Sequence, residues 1–382
     1  MSRAISPAPV DALQLADALR PFGESRMLPV GSYFDDEVLA WERRHLFSGW
    51  VALGRADDLV RPRMMRAYPA GEGGVLVVRD GEGRLNGFEN ACRHRGHELL
   101  PCDGTAESRA IVCPYHAWAY RLDGSLLGAP GFKDAAGFDP ARFPLKPVEL
   151  REWQGWLFAN AGTDQAFEDR VVGLEPIFEH YDGADLVTAE THSYDVEANW
   201  KVIVENYQEC YHCPSIHPEL CQVSPPDSGD NLPPQGDWVG GSMTLRDHAT
   251  TMSLDGRSGG ALMTRLDDVE QRTVMYLGLM PNMLISLHPD YVMTHLLTPL
   301  APGRTRIRCS WAFPRAVVER EGFDPSYAVD FWDLTNRQDW AACESVQRGM
   351  ATPGYVPGPL APAEDGVYDF VHYVARAYAG RA

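Results

Sequence analysis

Long apolar runs are missing from this chain of 382 residues. No stretch approaches the ~18 residues that a membrane span needs, so no membrane partner is expected. The opening segment, MSRAISPAPVDALQLADALRPF, has no unbroken apolar centre of the kind a secretory leader carries. Its Ala/Leu-rich part reads as a short amphipathic helix. Internal repeats and low-complexity tracts are absent too. Positive charge is scarce: 34 basic against 53 acidic residues, a formal charge of −19. That balance argues against nucleic acid as a partner. It suits a cationic substrate or a basic face on an electron donor, although solubility is the plainer reading of the same acidity. A compact disulfide framework is also missing, because the eight cysteines (92, 102, 113, 210, 213, 221, 309 and 343) are widely spread. A reducing cytoplasm fits them. What remains is ordinary for a globular protein: 45% apolar and 23% charged residues, and length for two domains.

Against that plain background two dense motifs stand out. The first is Cys92-Arg-His94 followed by Cys113-Pro-Tyr-His116. Two thiolates and two imidazoles make a metal site. A structural zinc module can use the same set, but usually pairs like with like. Here each short loop carries one Cys and one His, which is the ligand set of a Rieske 2Fe–2S centre.

The second motif runs from Asn199 to Pro218. Asn199 is a good helix N-cap, and the residues after it read as helix. On that helix Glu205, Glu209 and His212 fall at i, i+4 and i+7 and share one face. Pro214 is expected to end or kink the helix. A turn after Cys213 would let His217 swing back to a metal bound by His212. A third ligand is sought in Phe331 to Gln347, where Asn336, Asp339, Cys343 and Gln347 share a helical face. Asp339 sits among apolar and small residues, and a buried carboxylate needs a partner or a metal. His212, His217 and Asp339 therefore form a candidate 2-His-1-carboxylate set for non-haem Fe(II). Each residue alone has a plainer reading as a core histidine or an ion-pair partner; Glu205, for one, could pair with Lys201 four residues before it. Their joint appearance after a cluster motif is what carries weight. Substrate-pocket candidates are Met243, Leu245, His248, Met252, Met280, Tyr291, Trp311, Phe313 and Trp332. Such residues are more often core than pocket, but two or three aromatics around a cation would hold it by cation–π attraction.

Together the two motifs resemble the α subunit of the Rieske non-haem iron oxygenases. The pattern C-x-H-R-G … C-P-x-H-x-W is met by Cys92 to Gly96 and Cys113 to Trp118. The catalytic pattern is met by Asn199-Trp-Lys201, Glu205-Asn206, Glu209, Tyr211-His212 and His217-Pro218, and later by Gln338-Asp339 with Cys343-Glu344. The resemblance implies one 2Fe–2S cluster on Cys92, His94, Cys113 and His116, and one mononuclear Fe(II) on His212, His217 and Asp339. It implies electrons drawn from NAD(P)H through a separate ferredoxin- or flavin-type reductase. It also implies a head-to-tail homotrimer, in which Glu209 links His212 to His116 of the partner subunit, with Asn206 and Glu205 beside it as catalytic residues. Such heterologous contacts close into a ring. Two departures stand out. Ala117 replaces the usual glycine after the last cluster ligand, and we expect the loop to turn there through ordinary geometry. Glutamate at 209, where many ring-hydroxylating relatives have aspartate, resembles the glycine betaine, choline and N-dealkylating branch, as does Pro281 to Tyr291.

The expected fold is α+β, with three parts. Residues 1–46 form a helical segment packing with the catalytic domain. Residues 47–165 form an all-β Rieske domain, with a turn at Asp80-Gly81, and residues 166–382 form a catalytic domain of antiparallel sheet backed by helices. Ser224 to Gly241, rich in Pro, Gly and Asp, reads as a loop over the active site. The expected activity is hydroxylation of an N-methyl, N-alkyl or quaternary ammonium compound with O₂. The alternatives are an aromatic ring dioxygenase α subunit and an iron–sulfur protein that only carries electrons.

Overall fold

The computed structural model describes residues 6–71, 73–133, 135–160 and 162–380. They fall into two compact units: Arg43–Gln165 forms one, and the chain on either side of it forms the other. The fold is mixed α+β throughout.

Within Arg43–Gln165 the strands are β1 (Trp50–Arg55), β2 (Met64–Tyr68), β3 (Val75–Arg79), β4 (Leu85–Glu89), β5 (Thr105–Glu107), β6 (Ile111–Val112), β7 (Ala119–Tyr120), β8 (Leu126–Gly128), β9 (Pro147–Trp153) and β10 (Trp156–Asn160). A seven-stranded antiparallel sheet runs β1-β10-β9-β4-β3-β2-β5, and β6-β7-β8 form a smaller one. The apolar run Val75-Leu-Val-Val78 is buried on both faces, which is why it shows no alternation. The turn after β3 is a longer one than Asp80-Gly81 alone. Asp80 accepts backbone N–H bonds from Glu82 (2.8 Å) and Arg84 (2.9 Å), so one buried carboxylate closes the hairpin. Phe88, Trp118, Tyr120 and Leu145 form the floor beneath the cluster loops.

In the other unit the strands are β11 (Leu186–Val196), β12 (Asp230–Asn231), β13 (Trp238–Thr244), β14 (Thr273–Leu279), β15 (Met283–Leu287), β16 (Val292–Ala301) and β17 (Arg304–Pro314). They pair antiparallel in the order β11-β17-β16-β15-β14-β13-β12. The stretch expected as a plain loop from 224 to 241 thus contains β12, which pairs with Gly241 and Ser242, and the start of β13. The helices Trp200–Tyr207, Ser326–Met350 and Asp365–Tyr378 pack on this sheet and on one another.

The N-terminal segment belongs to this unit. Glu42 has no exposed surface, and its carboxylate takes the Trp200 indole N–H (2.8 Å), the Lys201 ammonium (2.6 Å) and the Tyr378 hydroxyl. Lys201 is equally buried. A pair this deep survives only when each remaining hydrogen-bonding site is filled. Three donors from two other segments meet on that one carboxylate.

Candidate metal centres and pocket

The two cluster loops are built alike. Cys92 N–H donates to the His97 carbonyl (2.9 Å) and Gly96 N–H returns to the Cys92 carbonyl (2.9 Å); Cys113 and Trp118 (2.8 Å), and Ala117 and Cys113 (3.0 Å), repeat the pattern. Gly96 has φ of +74° and Ala117 has φ of +56°. The expectation of ordinary geometry at Ala117 is therefore corrected. The second loop keeps the left-handed turn of the first, because closing the Cys113–Trp118 bond requires it, and alanine bears the Cβ penalty.

Cys92 and Cys113 are buried, and burial pushes the Cys113 thiol up, reinforced by the neighbouring Cys92 sulfur. The Tyr120 hydroxyl stands 3.2 Å from the Cys92 sulfur and accepts the Arg93 N–H at 3.0 Å. The His94 ring stacks on Trp118 (4.8 Å between centroids, 6° between planes) and lies 4.8 Å from the His116 ring. The His94 Nδ1 is buried with no hydrogen-bond partner. Two facing thiols and an imidazole nitrogen left without a proton partner suit a cluster that takes all four side chains as ligands.

The second centre departs from the expected helix. The helix is Trp200–Tyr207; Asn199 caps it through Lys201 N–H, and it stops at Gln208. Glu209, Cys210 and His212 therefore lie in a turn and not on the helical face expected for them. Glu209 is the reason: its carboxylate takes both the backbone N–H (3.1 Å) and the ring Nδ1–H of His212, which replaces helical bonding. Pro214 stands in the first turn of a new helix, Cys213–Ile216, where its missing N–H costs nothing. It starts a helix where the sequence reading had it ending one. Glu205, pointed away from this turn, accepts the Tyr33 hydroxyl (2.7 Å), while Lys201 goes to Glu42. Burial raises the Glu205 carboxyl to about 8.

His212, His217 and Asp339 converge. His212 Nε2 and His217 Nε2 are 3.2 Å apart, and Asp339 Oδ1 lies 2.9 Å from the latter and 3.4 Å from the former. Ligand atoms at about 2.1 Å from one ion, at right angles to one another, would stand about 3.0 Å apart, so the set fits a ferrous ion with the facial arrangement. The distal nitrogens are also spoken for. Glu209 holds His212 Nδ1, and Gln338 Oε1 accepts from His217 Nδ1 at 2.7 Å. Each bond fixes the tautomer that leaves Nε2 free to ligate. Burial alone would lower the His212 pKa, but the hydrogen bonds to Asp339 and Glu209 outweigh it and raise it to about 9.

A cavity of about 460 Å³ opens on this centre, within the range for small-molecule sites. The three metal-ligand candidates line it, with Asn206, Glu209, Tyr207, Tyr276, Met243 and Trp332. Asn206 Nδ2 approaches His212 Nε2 to 3.5 Å. Of the nine pocket candidates, Met243 and Trp332 line the cavity. Leu245, Met252, Tyr291, Trp311 and Phe313 pack in the adjoining core, Met280 is buried outside the lining, and His248 is exposed. Tyr291 is spent on structure, donating to the Met252 carbonyl and accepting the Trp332 indole N–H. Composition does not separate core from pocket, which explains this scatter. Glu205 is not among the lining residues.

The sequence reading missed Gln338, Tyr207 and Tyr276. Gln338 had a signal, its place beside Asp339; the tyrosines had none, since their convergence depends on β14 meeting the helix Trp200–Tyr207. It also left Cys210 and Cys213 unassigned. The structure joins them as a disulfide across the His212 turn, with Cα atoms 4.9 Å apart.

Comparison with known proteins agrees with this geometry. A family described as the ring hydroxylating alpha subunit (catalytic domain) matches residues 184–380, and the Rieske [2Fe-2S] domain family matches residues 49–141. The chain is 30% identical over 390 residues to the glycine betaine monooxygenase oxygenase subunit of Pseudomonas aeruginosa, covering 94% of this chain and 90% of that one. It is 26% identical to the chloroplastic choline monooxygenase of Spinacia oleracea, over 86% of this chain and 72% of that one. A crystal structure of a quaternary ammonium Rieske monooxygenase superposes with a TM-score of 0.80 at 24% identity, covering 98% of this chain and all of the other; it shares the fold.

Proposed function

Because the chain belongs to the α subunits of the Rieske ring-hydroxylating oxygenases, we propose that it inserts one oxygen atom of O₂ into a quaternary ammonium or N-alkyl substrate. The observation that carries this reading is the cavity itself: Tyr207, Tyr276 and Trp332 line the same space as His212, His217 and Asp339. Tyr276 stands between the other two aromatics, 5.9 Å from Tyr207 and 6.3 Å from Trp332 by ring centroids. Such a wall attracts an ammonium head by its ring faces.

When bound, the cluster on Cys92, His94, Cys113 and His116 would relay single electrons, and the iron on His212, His217 and Asp339 would activate O₂. The chain's own residues prepare that chemistry. Glu209 and Gln338 hold the imidazole protons at Nδ1, so that both Nε2 atoms face the same point. Asp339 adds the single negative charge of the ligand set. The Tyr207 hydroxyl bonds Ser286 at 2.8 Å, and the Trp332 indole bonds Tyr291 at 2.7 Å, which locks the rotamers of two wall residues. A head-to-tail homotrimer would bring His116 of the partner subunit to the Glu209 carboxylate that holds His212. A separate reductase would supply two electrons from NAD(P)H. The balance is a C–H bond of the N-methyl group, O₂, two electrons and two protons giving the N-hydroxymethyl product and water. That product then loses formaldehyde and a proton to leave the dealkylated amine.

The test uses the purified chain with a reductase, NADH and N-methylated ammonium substrates. We expect formaldehyde in step with NADH consumption, and about three iron and two acid-labile sulfide per chain. Asp339→Ala is expected to lose the mononuclear iron and keep the visible spectrum of the cluster. A diol formed from an arene, with no formaldehyde from any ammonium compound, would overturn the proposal.

A further inference from the structure

A pocket built for a zwitterion such as a betaine needs two electrostatic ends. One holds the ammonium group, and the other offers a lysine or arginine to the carboxylate. Among the described residues that line this cavity there is no lysine or arginine. Apart from the two histidines that would ligate the metal, its charged side chains are all acidic: Glu209, Asp227, Asp339 and Asp365. Glu209 and Asp339 are committed to the imidazoles. Asp227 is exposed and Asp365 half-buried, so they put negative charge toward the open part of the cavity. Asp365 is anchored there by the Asn231 amide at 2.6 Å.

The polar atoms still unfilled are neutral. Gln208 is 5% exposed, and its Nε2 has no hydrogen-bond partner; the buried hydroxyl of Tyr276 has none either. Both residues line the cavity. No formal positive charge on this wall is therefore offered to a carboxylate, whereas a neutral alcohol, ether or amide needs none.

We propose that this site selects an alkylammonium cation whose remaining polar group is uncharged, such as an alcohol, ether or amide, and discriminates against carboxylate-bearing zwitterions, with Asp227 and Asp365 setting that preference. The inference rests on the ammonium reading above and narrows it. It departs from the substrate that names the glycine betaine relative and agrees with the one that names the choline relative, both matched over most of the chain. A carboxylate at the open end of the cavity would meet two like charges with no lysine or arginine to pair with.

Isothermal titration of the iron-loaded holoenzyme with three probes of one shape tests it. Choline and glycine betaine share the trimethylammonium head and differ in a neutral alcohol against a carboxylate; 3,3-dimethylbutan-1-ol keeps the alcohol and removes the positive charge. We expect choline to bind at least tenfold tighter than either of the others. Asp365→Asn and Asp227→Asn should each shrink the choline-to-betaine ratio severalfold, and the second, at an exposed position, guards against a folding defect in the first. Glycine betaine binding as tightly as choline, or a ratio unmoved by both variants, would overturn the inference. If glycine betaine at the same time outbinds the neutral alcohol, the ammonium reading stands without it. The neutral alcohol matching choline, or no binding of either trimethylammonium probe, would remove the ammonium reading and this inference together.

Discussion

Ala117 and Gly96 occupy the same place in two matched loops, yet only one of them is glycine. Both have positive φ, so Ala117→Gly removes a Cβ from a left-handed turn. It is expected to stabilise the Arg43–Gln165 unit by about 1 kcal/mol, read as a higher midpoint in thermal denaturation with the cluster spectrum unchanged. His212 supports a second prediction. In the metal-free protein its pKa lies at about 9, above the ordinary 6.5. Below that value an iron ion must displace a proton. Affinity for Fe(II) should therefore climb as pH rises from 6.5 to 9 and level off above. The stability that protonated His212 lends the empty site runs the other way, present below 6.5 and lost as pH rises through 9. Chelator competition across that range checks the slope; a flat profile would show that the two carboxylates do not hold the proton. The candidate cysteine and histidine ligands could be named at this scale, because spacings of two to five residues are local; the structure brings His212 and His217 together with the distant Asp339. The residues that orient them were half readable: Glu209 and Gln338 both stand in the family pattern, but the bond from His217 to Gln338 emerged only with the helix Ser326–Met350 in place.

The helix Trp200–Tyr207 shows where reading by periodicity fails. Its start was legible in Asn199, since capping is a contact between residues two positions apart. Its end was not, because neither glycine nor proline marks Gln208. A carboxylate at 209 bonding forward to His212 competes with the helix, and the consequence is a tight turn carrying two candidate metal-site residues. The face counted as Glu205, Glu209 and His212 does not exist as one surface. Glu205 instead belongs to the buried polar layer beneath, beside Glu42 and Lys201. Removing the Glu42 carboxylate would strand the Lys201 ammonium, whose pKa burial already lowers. Glu42→Ala is expected to cost about 3–5 kcal/mol, measured by the shift in thermal unfolding, with Lys201→Met in the same background recovering part of it. Absence of recovery would mean that lost packing, and not the unpaired charge, sets the cost.

At the scale of the whole molecule the proposed trimer makes a prediction that no single chain can satisfy. A Cys92→Ser variant without a functional cluster and an Asp339→Ala variant without iron should each be inactive alone. If electrons cross between subunits, co-expression of the two should restore measurable turnover, as mixed trimers contain competent neighbours. Turnover no higher than the sum of the separate variants would argue that each chain works by itself. No described helix is long and apolar enough to cross a membrane, in keeping with the missing apolar runs.

The chain's own order of residues determined the metal chemistry, the α+β class and the family, because ligand sets are short, local and chemically unusual. Tertiary structure decided the rest. Which aromatics line the cavity and which fill the core depends on strand register and helix placement, and the same residue types serve both. The cavity's acidic, lysine-free lining was equally invisible in a count of charges, since Asp227 and Asp365 are far from each other in sequence. They reach one space only when the sheet and its covering helices close around it.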